Sequence, residues 1–125
     1  MLNPDGAING NYRTSLSGDD LNRQWKVPSK VTHPEIYFTK KIVLETEYKK
    51  LLYIDLHGHS KKKSTFMYGC VSGRTPYIPK ELPYVLSRKM SHFSYFSCNF
   101  ATPRSKEGTS RIALWRAGID HCYTY

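Results

Sequence analysis

The stretch LLYIDLHGHS, at residues 51–60, joins an apolar run to two histidines. Such a run is typical of a strand that is buried in a parallel sheet. Open α/β sheets bind ligands and metals where their strands end, so His57 and His59 are expected at that edge of the sheet. Imidazole is the commonest metal ligand, and the pair therefore indicates a zinc site. A catalytic zinc ion needs three protein ligands, however, and this motif supplies at most two.

The composition indicates one folded and strongly basic domain. A length of 125 residues accommodates one hydrophobic core but not clearly two. The net charge of +9, with lysines clustered at 40–41, 49–50 and 61–63, favours an acidic partner such as nucleic acid, anionic lipid or an acidic peptide. The three cysteines show no close pairing, which fits a reducing compartment, and no run approaches the roughly 20 apolar residues that cross a bilayer. A cytosolic protein without a membrane partner is expected, with nuclear residence left open.

Local patterns predict helices that alternate with strands. The first thirty residues are rich in Gly, Asn, Asp, Ser and Pro, which predicts loops. A capping-box pattern, Thr32-His33-Pro34-Glu35, opens the first predicted helix. The predicted order from there is helix (32–50), strand (51–56), strand (64–69), helix (79–90), strand (92–100), helix (108–118) and strand (119–125). The chain is therefore predicted to have an α/β fold, a sheet layered by helices.

Two arginines lie in polar loops near the start of the chain. Arg13 ends the sequence GNYR, and Arg23 ends the sequence DLNR. An arginine in a loop is usually solvated. The functional alternative is that Arg23 grips a carboxylate bidentately while Asn22 donates a further hydrogen bond, and that Arg13 stabilises a developing oxyanion. The residues alone leave both interpretations open.

Five blocks of sequence together resemble the cytosolic carboxypeptidases, which belong to the carboxypeptidase A superfamily. The blocks are MLNPDG at 1–6, GNYR at 10–13, DLNR at 20–23, DLHGHS at 55–60 and FMYGC at 66–70. They occur in the family's order and cover much of the chain. The resemblance implies that the fold is part of the mixed, mainly parallel sheet, flanked by helices, of a zinc carboxypeptidase.

The resemblance also implies an activity and roles for the site residues. Members of the family are zinc carboxypeptidases that remove glutamates from protein tails or side chains, with tubulin as the best-known substrate. By this correspondence His57 is a zinc ligand and His59 a pocket residue, although a merely hydrogen-bonded imidazole is the alternative for His59. Arg13 matches the residue that polarises the scissile carbonyl, and Asn22 with Arg23 matches the pair that holds the terminal carboxylate. A planar guanidinium suits that carboxylate better than a lysine.

Arg111 falls where related enzymes place the residue at the base of the pocket for the terminal side chain. A cation at that position would select glutamate. By composition alone, a solvated arginine on a helix whose Ile112, Leu114 and Trp115 pack inward is the alternative. The lysines at 61–63 likewise either attract an acidic tail or form an ordinary solvated turn.

Several parts of the family pattern have no counterpart in this sequence. The family's other two zinc ligands lie in a His-x-x-Glu motif upstream of the Asn-Pro-Asp-Gly block, and its general base is a glutamate that would follow Tyr125. Residues 1–125 are therefore interpreted as a partial catalytic domain, cut on both sides, with one of three zinc ligands. Alone, the chain is expected to be inactive and marginally stable. The alternative function is a non-catalytic relative that binds acidic tails.

The expected partners and location follow from the same resemblance. Glutamate-rich protein tails, tubulin among them, are the expected partners. Nucleic-acid binding rests only on the net charge, and no recognition motif supports it. The expected location is the cytoplasm, with the nucleus and the microtubules as further possibilities.

Overall fold

Two short parallel strands organise the computed structural model, which describes residues 1–47, 52–59, 62–73 and 76–125. Strand β1 is Leu52–Asp55 and strand β2 is His121–Thr124, and they pair in register with Leu52 opposite His121. Backbone hydrogen bonds continue the ladder beyond both strands: Tyr125 N donates to Asp55 O over 2.8 Å, and His57 N donates to Tyr125 O over 2.7 Å. The backbone of His57 is thereby fixed at the carboxyl end of the sheet.

Four helices surround this sheet in the described residues. They are α1 (Pro4–Ile8), α2 (Pro34–Glu45), α3 (Ile78–Lys89) and α4 (Ser110–Arg116), with 3-10 turns at Leu21–Arg23, Tyr95–Ser97 and Arg104–Lys106. None of these helices is long and apolar enough to cross a membrane.

Strand β2 separates two hydrophobic clusters. Cys122 and Tyr123 are consecutive and both fully buried, because neighbouring residues of a strand face opposite sides of the sheet. The Cys122 cluster contains Leu21, Trp25, Ile36, Ala113 and Leu114, and the Tyr123 cluster contains Met67 and Phe93, with Leu82, Leu86 and Met90 packed against it. Helices α2 and α4 therefore cover one face, and α3 covers the other. This layering confirms the predicted α/β fold.

Two predicted strands are not strands in the structure. The backbones of residues 64–69 and 92–100 pair with each other and with β2 as isolated bridges, at Thr65 with Phe93, Tyr68 with Asn99 and Tyr68 with Thr124. A 3-10 turn at Tyr95–Ser97 interrupts the second stretch, and the Ser94 hydroxyl accepts a hydrogen bond from Ser97 N over 3.3 Å. The turn withdraws successive backbone groups from pairing, so no continuous ladder forms.

The helix limits also differ from the prediction. Residues 4–8 were predicted as loop but form α1, because the Asn3 side chain accepts a hydrogen bond from Gly6 N and Pro4 occupies the first position. Helix α2 begins at Pro34 after an N-cap at His33, which makes no side-chain cap bond, and it ends at Glu45 rather than near residue 50. The predicted capping box is therefore wrong. The start of the predicted strand at residue 51 lies outside the described residues.

Helix α4, Ser110–Arg116, is two residues shorter at each end than the predicted helix (108–118), although Gly118 does terminate it as the sequence predicts. Gly118 has φ +103°, a left-handed conformation that favours glycine, and its N–H donates to Trp115 O over 3.0 Å. The chain then enters β2, which starts at His121.

Candidate functional site

One cavity of about 500 Å³ brings together all six site residues that the sequence predicts. It lies beyond the carboxyl ends of β1 and β2, the edge at which α/β sheets bind ligands. The predicted residues in its wall are Arg13, Asn22, Arg23, His57, His59 and Arg111. Lys106 adds a fourth cation, and none of the described residues that line the cavity carries a carboxylate. The cavity is therefore suited to an anionic ligand.

His57 is oriented by a carboxylate on its own strand. Its Nδ1 lies 3.6 Å from Asp55 Oδ1, and both side chains are partly buried. The interaction with Asp55 raises the pKa of the His57 imidazole, while partial burial and the Arg13 charge oppose that shift. Metal-bound histidines usually have such a carboxylate behind them.

The other oxygen of Asp55 joins this histidine to the rest of the site. Asp55 Oδ2 accepts hydrogen bonds from Ser110 Oγ over 3.2 Å and from Asn22 Nδ2 over 3.4 Å. Asn22 Oδ1 in turn accepts from Ser110 N, the first residue of α4, over 3.0 Å. One carboxylate therefore lies beside His57 and accepts hydrogen bonds from Asn22 and Ser110.

Asp20 positions both loop arginines. Arg13 Nε donates to Asp20 Oδ2 over 2.7 Å, and Arg23 Nη1 lies 3.8 Å from the same oxygen. Arg23 Nη1 also donates to Asn22 O over 2.8 Å. Because each guanidinium carries five N–H donors, both arginines retain donors that can bind a ligand carboxylate. Both loop arginines, for which the sequence left a solvated and a functional interpretation open, are thus part of the cavity wall.

Gly108 brings the segment before α4 against the backbone of Arg23. Its carbonyl accepts a hydrogen bond from Trp25 N over 3.0 Å. A Cβ at this position would collide with the Arg23 carbonyl, so the close approach requires glycine. The backbone of Arg23 is therefore held from two sides, by Gly108 and by the Asp20 turn.

Arg111 is buried, with only 6% of its surface exposed. Its guanidinium donates to Gly69 O and to Cys70 Sγ, the latter over 3.2 Å, and lies 5.9 Å from the centre of the Tyr68 ring. Within the part of the chain that the structure describes, no carboxylate forms an ion pair with it. The solvated-arginine alternative is therefore wrong. A buried cation that lacks a carboxylate partner and lines a cavity favours an anionic ligand.

His59 lies among aromatic side chains at the edge of the cavity. Its Nδ1 accepts a hydrogen bond from Lys62 N over 3.2 Å, its Nε2 lies 3.5 Å from the Tyr68 hydroxyl, and its ring packs edge-on against Phe66. The hydrogen-bonded imidazole and the pocket residue are therefore both compatible with this position, and the role of His59 stays a prediction. Of the predicted lysine cluster, Lys61 lies outside the described residues.

The residues that hold the predicted site residues in place were not predicted from the sequence. Asp20, Asp55 and Ser110 are the anchors of the site, and Cys70 contacts the buried guanidinium. Two features of the sequence point to these residues. Asp55 and His57 are two residues apart on an extended segment, so their side chains lie on the same face. Asp20 precedes Asn22 at the spacing of a residue whose side chain caps a helical turn.

The described residues do not form a complete zinc site. Across 1–47, 52–59, 62–73 and 76–125, no group of three His, Cys, Asp or Glu side chains is placed to hold a metal. His57 fits one ligand position, since it is partly exposed in the cavity and backed by a carboxylate. Two more ligands would be needed for a catalytic ion.

Comparison with known proteins gives consistent relatives, although no family model matches. The chain is 47% identical over 129 residues to cytosolic carboxypeptidase 2 of Macaca fascicularis, covering 99% of this chain and 15% of that protein. It is 44% identical over 143 residues to cytosolic carboxypeptidase 1 of Xenopus laevis, covering 99% of this chain and 12% of that protein.

Solved structures agree with these sequence matches. A putative carboxypeptidase A from Shewanella denitrificans OS-217 superposes with a TM-score of 0.79 and 26% identity, over 98% of this chain and 34% of that one. A metallo-carboxypeptidase from Burkholderia cenocepacia gives a TM-score of 0.81 at 19% identity, over 98% of this chain and 33% of that one, and supports the fold alone.

Proposed function

The chain belongs with the cytosolic carboxypeptidases, and we propose that it supplies the substrate-binding wall of a zinc carboxypeptidase that releases glutamate from protein tails or side chains. It spans 12–15% of the length of the two relatives described above, so the activity is proposed for the whole protein. One observation carries the proposal. Three guanidiniums face a single cavity, and one of them is buried without a carboxylate partner among the described residues.

Each cation has a separate task in this proposal. Asn22 and Arg23 bind the terminal carboxylate of the substrate, because a fork of N–H donors matches its two oxygens. Arg111 binds the carboxylate of the terminal side chain. Arg13 donates to the carbonyl oxygen on which negative charge develops during cleavage. His57 is one zinc ligand, and zinc in such an enzyme supplies activation of water and polarisation of the carbonyl.

The charge of the chain favours acidic protein tails as substrates. A net charge of +9 and the cationic cavity attract a run of glutamates over a distance of about 8 Å at physiological salt. The tubulin tails are of this kind and are the proposed substrate. The names of the relatives support a cytoplasmic location, with the microtubules and the nucleus as further proposed sites.

The direct test uses the whole protein with zinc and peptides that differ only at their C-terminal residue. We expect glutamate to be released from a peptide ending in Glu, glutamine to be released at a much lower rate from one ending in Gln, and no amino acid to be released from one ending in a Glu amide. Liquid chromatography of the released amino acid measures all three. Equal release from the Glu and Gln peptides would contradict the proposed specificity.

A second function is compatible with the same cavity. Its anion-binding groups are all in place, whereas the described residues provide one candidate zinc ligand. The chain would then bind acidic tails without cleaving them.

We expect the purified 125-residue chain with zinc to release no glutamate, because the described residues provide one candidate ligand and a single imidazole does not hold a catalytic ion. It is still expected to bind a peptide with a free C-terminal Glu more tightly than the corresponding amide, as isothermal titration would show. Zinc-dependent release of glutamate by this chain would refute the expectation. Its folded state is checked first by circular dichroism.

A further inference from the structure

A second cavity, of about 180 Å³, adjoins the first. The two share a wall formed by His57, Gly58, His59, Tyr68 and Thr124. Beyond that wall the second cavity has its own lining, in which the main side chains are Lys62, Phe66 and Tyr125. Its described lining is thus aromatic with one lysine, and it does not include the arginines of the first cavity.

The Lys62 side chain is held against this aromatic wall. Its ammonium lies 4.3 Å from the centre of the Phe66 ring and 5.9 Å from that of Tyr68, and it donates to Ser97 O over 2.9 Å. Its backbone N–H donates to His59 Nδ1. An ammonium group has three donors, so further donors remain for a ligand. Among the described residues, no carboxylate forms an ion pair with Lys62.

We propose that the second cavity binds the residue that precedes the cleaved one, and that Lys62 selects an acidic side chain there. The inference rests on the proposed function. If the terminal residue fills the cavity of Arg23 and Arg111, the chain before it must leave past His57, and the shared wall at His57 leads into the second cavity. The ammonium group then meets a side-chain carboxylate, while Phe66 packs against its methylene groups.

The experiment measures hydrolysis and binding by the whole protein with three peptides. All end in Glu, and the preceding residue is Glu, Gln or Leu. The variants are K62A, K62E and K63A, in which Lys63 serves as the matched control because it is an exposed neighbour that lines neither cavity.

We expect the unaltered protein to prefer Glu over Gln before the cleaved residue by roughly threefold to fivefold in kcat/KM, the size of a solvent-accessible ion pair. K62A should lose this preference, K62E should invert it, and K63A should keep it. Added salt should reduce the preference of the unaltered protein and of K63A, but not change K62A.

Three outcomes would overturn the inference: no preference of the unaltered protein for Glu over Gln, a preference for Leu over Glu, or an undiminished Glu preference in K62A. Failure of the proposed function has a different signature, which is that no peptide is hydrolysed. In that case the Kd values of the same peptides carry the test, and K62A must lose the Glu preference in binding.

Discussion

Replacing Arg23 by alanine in the whole protein should lower kcat/KM for a glutamate-ended peptide by roughly 30-fold to 300-fold. Removing one partner of a desolvated charge pair costs about 2–5 kcal/mol, and tenfold corresponds to about 1.4 kcal/mol. Arg23 is one third exposed, which places the expected loss in the lower part of that range. The loss should appear mainly in KM, because the terminal carboxylate is bound before and during cleavage.

Two further variants make this prediction specific. R23K keeps the charge but not the planar fork, so it should recover only part of the lost efficiency. R116A removes an arginine that pairs with Glu107 on the surface and does not line the cavity, and its efficiency should stay within about twofold, as for most surface pairs.

The decisive readout for Arg23 is the discrimination between a free and an amidated C-terminus. If Arg23 holds the terminal carboxylate, R23A should process the two peptides at nearly equal, low rates. A variant that is folded and slow but still discriminates strongly would show that another residue recognises the carboxylate. Arg13, which shares Asp20 with Arg23, would then be the next candidate.

The sequence predicted which residues line the cavity, but it did not predict which residues hold them in place. Arg13, Asn22, Arg23 and His57 come from three of the five blocks and Arg111 from a later helix, yet the structure brings all five residues into one cavity. Residues that are proposed to bind one ligand can be recognised by their type and by their order along the chain, even where their motifs are distant in sequence. Their supports are less visible, because Asp55 and Asp20 make ordinary hydrogen bonds that many side chains can make.

Burial explains why Arg111 was ambiguous in the sequence. A helix that carries Ile112 and Leu114 predicts that the arginine just before them faces outward, since charged side chains usually stay in water. In the structure Ser110 through Leu114 are all buried, because α4 packs on β1 and β2 and its Ala113 and Leu114 join the cluster of Leu21 and Trp25. The helix sequence alone does not show how many sides such tertiary contacts cover.

The false strands have a similar cause. Residues 64–69 and 92–100 have the apolar and aromatic content of strands, but pairing needs a partner that remains alongside for several residues. Here Tyr68 bridges to both Asn99 and Thr124, while the 3-10 turn at Tyr95–Ser97 bends the neighbouring segment away. The amino-acid composition of these two segments does not show whether a neighbouring segment remains alongside them.

Replacing Arg111 by glutamine should abolish the preference for glutamate over glutamine at the C-terminus. The amide can still donate to Gly69 O, which reduces the structural cost, but it offers no positive charge to a side-chain carboxylate. We expect kcat/KM for the Glu-ended peptide to fall by roughly 10²–10³-fold, while that for the Gln-ended peptide changes by only a few-fold. Competition between the two peptides in one reaction measures the ratio directly.

The charge-keeping variant and a distant arginine complete this experiment. R111K should retain a reduced preference for glutamate, and R88Q, on the exposed surface of α3, should retain all of it. R111Q that is folded and still selects glutamate would remove Arg111 from the specificity site. The thermal melt of R111Q distinguishes a role in substrate selection from a structural role. A buried cation without a carboxylate partner among the described residues contributes little to stability. Replacing it should therefore leave Tm nearly unchanged while the glutamate preference is lost. A purely structural arginine would show the reverse pattern, a lower Tm with the glutamate preference intact.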